Sequence, residues 1–154
     1  MKMKLVKESF DFNNVPNIHK LVNRVAQIIV KDVKDGVERG VDINDHKFEP
    51  LKPSTIRAKK SRGSKTPTKP LLDTHRMAGK SSGKGIYLDQ RASKGKHRAT
   101  IKIPADRQYV GGVHNEGLGD MPKREWFGIS KRAENSADKM VKEFMRLLYK
   151  VRGK

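Results

Sequence analysis

Two long stretches of the chain carry apolar residues at steps of three and four. The first stretch has them at Ile18, Leu21, Val22, Val25, Ile29, Val33 and Val37, and the second at Ala133, Ala137, Met140, Val141, Phe144, Leu147, Leu148 and Val151. This spacing places apolar side chains on one face of an α-helix. We therefore predict two amphipathic helices, over residues 15–39 and 130–151, which Gly40 and Gly153 end.

The segments outside these helices show shorter patterns. Residues 86–90 and 98–103 alternate apolar and polar positions around a turn at 93–96, which predicts a β-hairpin. Short helices are predicted at 53–60, 71–78 and 109–116, and a short strand at 4–10. The expected fold is one α+β domain over residues 1–154, with two long amphipathic helices packed on a small antiparallel β-sheet and long basic loops.

Positive charge is concentrated in the middle of the chain. Lys and Arg number 35 against 17 Asp and Glu, a net charge of +18, and residues 51–104 hold 15 of the basic residues but only 2 acidic ones. We expect an N-terminal arm at 1–14 and flexible basic loops at 61–70 and 79–85. The basic residues expected to face a partner or DNA are Arg57, Lys59, Lys60, Arg62, Lys65 and Lys69.

This basic segment leaves two kinds of partner open. An excess of positive charge favours either nucleic acid or the acidic surface of a neighbouring protein. No aromatic residue lies between Phe48 and Tyr87, so the segment offers no side chain on which bases could stack. If the partner is nucleic acid, we therefore expect contact that is independent of nucleotide sequence.

Catalytic signatures are absent from the sequence. The chain has no cysteine, and its glycine-containing stretches match neither a P-loop nor a dinucleotide fingerprint. The five histidines lack the spacing of a metal site, although a metal-free nuclease with His75 or His97 as general base stays open. We expect no enzyme, no catalytic residue, no metal and no cofactor. No apolar run approaches the ~20 residues that span a bilayer, so no membrane association is expected.

Four short segments follow one another along the chain: residues 48–55 (FEPLKPST) followed by Lys59, 70–77 (PLLDTHRM), 109–117 (YVGGVHNEG) and 121–130 (MPKREWFGIS). In this order they resemble the phage virion morphogenesis family, which comprises tail-completion and Mu-like tail proteins. The sequence departs from the family pattern at His75, where a glycine is usual, and at Glu125, where a proline is usual. An extra residue also follows Arg124.

The resemblance implies a structural virion protein. Such proteins join head and tail at the phage neck as a homo-oligomeric ring, hexameric or dodecameric, in contact with neck, connector and tail-tube proteins. Non-specific contact with genomic DNA in the channel stays open, and the host cytoplasm would be the site of assembly. The matching positions are Phe48, Leu51, Thr55, Leu72, Thr74, His114, Gly117, Pro122, Arg124, Phe127, Gly128 and Ser130.

Overall fold

The computed structural model describes residues 16–79 and 85–152. The elements are, in chain order, α1 (Ile18–Arg39), α2 (Pro53–Ser61), β1 (Tyr87–Gln90), β2 (Thr100–Lys102), a 3₁₀ turn at Ala105–Arg107, α3 (Gln108–Glu116) and α4 (Lys131–Arg152). The expected α+β class is confirmed, with two long helices and a small antiparallel sheet. The predicted arm, the strand at 4–10, most of the loop at 79–85 and Gly153 lie outside the described residues.

Helix α1 is the element on which the others pack. Its N-terminal half buries Ile18 and Leu21 against Met140, Phe144 and Leu148 of α4. It also contacts both strands of the hairpin. The prediction that both long helices pack on the sheet therefore needs a correction for α4, which packs against α1. The apolar face of α1 is long enough to pack against both α4 and the hairpin.

The hairpin is short and irregular. β1 and β2 pair antiparallel, with Leu88 opposite Ile101, and the register shifts between Leu88 and Gln90. The predicted turn is present, because Ser93 and Lys96 form an isolated antiparallel bridge. The side chain of Asn23 in α1 exchanges two hydrogen bonds with the backbone of Ala92, at 2.8 and 2.9 Å. These bonds fix the hairpin to α1.

The main core lies where α1, the 71–78 segment and the chain before α4 meet. Its buried residues are Val33, Val37, Phe48, Leu72, Met77, Ala78, Ile86 and Trp126. The indole Nε1 of Trp126 donates to the Gly111 carbonyl at 3.0 Å, which ties the core to α3. A Cβ at Gly111 would lie 3.0 Å from the Trp126 ring, so the glycine lets α3 approach this closely.

The beginning of α4 is anchored to α1 by Asp32. Ser130 accepts a hydrogen bond from the Ala133 N–H, as an N-cap residue does, and donates to the Asp32 carboxylate at 2.5 Å. Arg132 pairs with the same carboxylate at 3.0 Å.

Among the described residues, no helix is both long and apolar enough to cross a membrane.

The helix predicted at 71–78 is wrong. This segment forms a series of bends, and Leu71 and His75 have positive φ values of 61° and 56°. In a helix, the carbonyl of Leu72 would accept from the N–H of residue 76. Here it accepts instead from the ammonium of Lys59 and the hydroxyl of Thr66, both at 2.6 Å.

Candidate binding site

Lys59 organises the chain that follows α2. Its side chain is buried, and its ammonium donates to the carbonyls of Thr66, Lys69 and Leu72 at 2.8, 2.7 and 2.6 Å. A protonated lysine has three N–H donors, so these carbonyls satisfy it completely. Burial lowers the pKa of Lys59, although the charge of Asp73 acts in the opposite direction. The segment 61–70, predicted as a flexible loop, is thus joined to α2.

The expected basic surface is consequently smaller than predicted. Lys59 does not belong to it, because the residue is only 4% exposed. Two further members face outward but form ion pairs, Arg62 with Asp73 at 3.0 Å and Lys69 with Glu38 at 3.5 Å. Arg57, Lys60 and Lys65 are exposed, and within the described part of the chain no ion pair involves them. The sequence alone could not show that Lys59 is buried while its neighbours are exposed, because all the lysines of this stretch have the same side chain.

Arg124 is a second buried cation, on the chain between α3 and α4. It is 2% exposed. Its guanidinium donates to the Glu49 carbonyl at 3.0 Å and lies 3.4 Å from Nδ1 of His114. The Nε of Arg124 is buried and has no hydrogen-bond partner among the described residues. Burial lowers the pKa of Arg124, opposed by the charge of Glu49.

His114 is held in one tautomer by Arg124. A guanidinium can only donate, so Nδ1 of His114 must accept and the ring proton sits on Nε2. Burial and then the positive charge of Arg124 lower the pKa of His114 below its ordinary 6.5. The imidazole is therefore neutral at pH 7, which keeps the Arg124 contact intact.

We expect a pH-dependent contribution of His114 to stability. The unfolded chain takes up a proton near pH 6.5, whereas the folded chain does so only at lower pH. The contribution is thus complete above 6.5 and is lost as the pH falls from 6.5 through the lowered pKa. In His114→Asn, whose amide oxygen can accept in place of Nδ1, urea unfolding should lose less stability between pH 7.5 and 5.5 than in the unchanged protein. An equal pH dependence of the two would contradict this prediction.

Lys59, His114 and Arg124 line the same cavity, of about 840 Å³. Its walls come from the 49–52 segment, α2, the 71–77 bends, Arg107, α3 and the 119–124 segment. The lining combines apolar side chains with five basic and three acidic ones. The charged members are Lys52, Lys59, Arg62, Arg107 and Arg124, with Glu49, Asp73 and Asp120.

Most of the family-motif positions meet at this cavity. Seven of them line it, although they come from four separate segments of the chain: Leu51, Thr55, Leu72, Thr74, His114, Pro122 and Arg124. Of the others, Phe48 is in the main core, Phe127 packs against it, and Ser130 caps α4. Gly117 ends α3 with a φ of 69°, where a Cβ would lie 2.8 Å from Lys123, and Gly128 packs against Ile43.

The sequence reasoning missed the acidic and some of the basic lining. Glu49, Asp73, Arg107 and Asp120 were not singled out, and only their proximity to motif residues could have indicated them. The two histidines considered for a nuclease are not among the residues that line the cavity. His75 lies 3.4 Å from Thr66 Oγ1, and both ring nitrogens of His97 are buried without a described partner. The described residues contain no group of three His, Cys, Asp or Glu able to hold a metal ion.

Comparison of this chain with protein-family models, with curated proteins and with solved structures finds no match.

Proposed function

We propose that this chain is a structural subunit of a tailed phage, a tail-completion or head–tail joining protein that assembles with copies of itself into a ring. The motif order is what suggests the family. The gathering of seven motif positions around one cavity supports reading those positions as one unit of the fold. The virion neck would be the protein's location, and its neighbours would be connector and tail-tube proteins.

The proposal of a homo-oligomer rests on α4, whose apolar face is only partly buried within the subunit. Met140, Phe144 and Leu148 pack against α1, and these define the centre of the apolar face. Val141 and Leu147 lie on either flank of that face, and the side chains are 38% and 50% exposed. Contact with a neighbouring subunit would remove these apolar flanks from water, which favours association.

A second exposed apolar surface lies on α3 and the loop after it. Tyr109 is 83% exposed and Leu118 55% exposed, and Val110 and Met121 are also exposed. A ring with head-to-tail contacts needs two different surfaces on each subunit, one for each neighbour. The flank of α4 and the surface around α3 are two such surfaces, so a cyclic assembly is compatible with the exposed residues.

The assembly is tested by light scattering coupled to size exclusion, followed by electron microscopy. We expect a ring of six or twelve times the 17.5 kDa monomer mass. Leu147→Glu should shift the population toward monomer, with unchanged circular dichroism. Lys139→Gln, which changes the charge by the same amount on an exposed position of α4, should leave the ring intact. A strict monomer at high concentration that binds no neck or tail protein would contradict the proposal.

Nucleic-acid binding is the second candidate, supported by Arg57, Lys60 and Lys65, which are exposed and form no ion pair with any residue that the structure describes. Three phosphate contacts would give log affinity a slope of about −2.7 against log salt on duplex DNA. Charge reversal at these three positions should abolish binding without unfolding the chain. Absence of binding at low salt would exclude this function.

A further inference from the structure

The cavity contains a buried guanidinium, that of Arg124, which forms no ion pair with a carboxylate of the described residues, although the charge of Glu49 acts on it. The side chain of Arg124 has a carbonyl oxygen and a neutral imidazole nitrogen as its described partners, and its Nε has none. Buried arginines are normally paired with carboxylates or phosphates, because an unpaired charge is costly to remove from water. Lys59 differs, since three carbonyls satisfy its ammonium.

We propose that this cavity binds a segment of a partner protein that carries a carboxylate next to an apolar side chain, with the guanidinium of Arg124 as the partner of the carboxylate. A volume of about 840 Å³ lies within the ~300–1,000 Å³ of pockets that bind ligands, which is enough for a Glu and a neighbouring apolar side chain. Thr55 and Thr74 add hydroxyl groups to the same lining, and these can donate to the second carboxylate oxygen.

The lining favours a protein segment over nucleic acid. Leu51, Leu71, Met77, Val110 and Met121 line the cavity and can enclose an apolar side chain. A sugar-phosphate backbone has no apolar side chain that these residues could enclose.

The acidic lining points in the same direction. Glu49, Asp73 and Asp120 would repel a chain of successive phosphates more strongly than they would repel a single carboxylate. The positive net charge of the chain favours an acidic partner in general. The cavity would in addition bind one particular acidic residue of that partner. This inference does not depend on the proposed phage function, because the cavity belongs to the single subunit.

Nuclear magnetic resonance of the full chain tests the proposal with defined probes. We expect acetyl-Leu-Glu-amide to shift the Arg124 Nε–Hε and His114 side-chain signals saturably. Acetyl-Leu-Gln-amide, which lacks only the charge, should bind at least tenfold more weakly. Acetyl-Gly-Glu-amide should also bind more weakly, since the apolar wall is then unfilled. Equal binding of the Glu and Gln probes would overturn the proposal.

Inorganic phosphate and a short DNA duplex are the competing probes. We expect neither to displace the Glu probe at matched ionic strength, and displacement by either would overturn the assignment to a protein segment. Asp120→Lys should tighten binding of the Glu probe about threefold by removing a repulsive charge. Asp138→Lys makes the same charge change on an exposed position of α4 that does not line the cavity, so it should leave binding unchanged. Equal effects of the two variants would indicate general charge attraction and contradict a built site.

Discussion

Trp126→Ala should lower the free energy of unfolding by about 3–5 kcal/mol, the largest effect we expect from one substitution. The ring is 1% exposed and belongs to the main core, so its removal leaves a cavity where several elements meet. It also removes the donor for the Gly111 carbonyl. For a chain of this length the loss corresponds to a fall in melting temperature of roughly 6–20 °C.

Two further variants separate packing from hydrogen bonding at this position. Trp126→Phe keeps most of the apolar area but leaves the Gly111 carbonyl without its indole donor, at a cost of about 1–3 kcal/mol. Tyr109→Ala, at an aromatic residue that is 83% exposed on α3, should change stability by less than about 0.5 kcal/mol. Unfolding is best followed by circular dichroism, because Trp126 is the single tryptophan of the chain. A loss below about 1 kcal/mol for the alanine variant would contradict the role of the ring in the core.

Lys59→Met should destabilise the protein by about 2–4 kcal/mol. Hydrogen bonds to a charged group contribute about 1.5–3 kcal/mol each, and part of that gain is offset by the cost of burying the ammonium. Methionine has a similar length but no donor, so the Lys69 carbonyl in particular loses its described partner. Lys60→Met, at the exposed neighbour, is the matched control and should change stability by less than about 0.5 kcal/mol.

A local readout distinguishes this effect from general destabilisation. The segment after α2 contains the tryptic sites Arg62 and Lys65, and the bonds from Lys59 hold the chain on either side of Thr66. Cleavage at these sites should accelerate at least tenfold in Lys59→Met, because proteolysis follows the population of locally opened chain. Unchanged cleavage, with stability equal to that of Lys60→Met, would show that the ammonium does not hold the segment in place.

The elements that the sequence predicted best are those with a strong local signal. α1 and α4 follow from apolar spacing, the ends of α1 and α3 follow from the glycines after their last residues, and the hairpin follows from alternation around a turn. These features depend on neighbours three or four positions away, or two in a strand, so they can be read from the chain directly.

The features that the sequence did not predict depend on contacts between distant residues. Residues 71–78 have apolar spacing suited to a helix, but Lys59 and Thr66 take the Leu72 carbonyl that the helix would need. The burial of Lys59 and Arg124 depends on what folds over them. The motif positions around the cavity were predicted individually from the resemblance, whereas their meeting at one place, and the acidic residues beside them, required the structure.

The attachment of α4 to Asp32 has a consequence for synthesis of the chain. Ser130 and its acceptor on α1 are 98 residues apart in sequence, so the apolar stripe of α1 is made long before its covering helix exists. At ~5–20 residues per second, α1 waits about 5–20 s on the ribosome without α4. During that interval the face containing Ile18 and Leu21 is available to chaperones, and to the same face of other nascent copies.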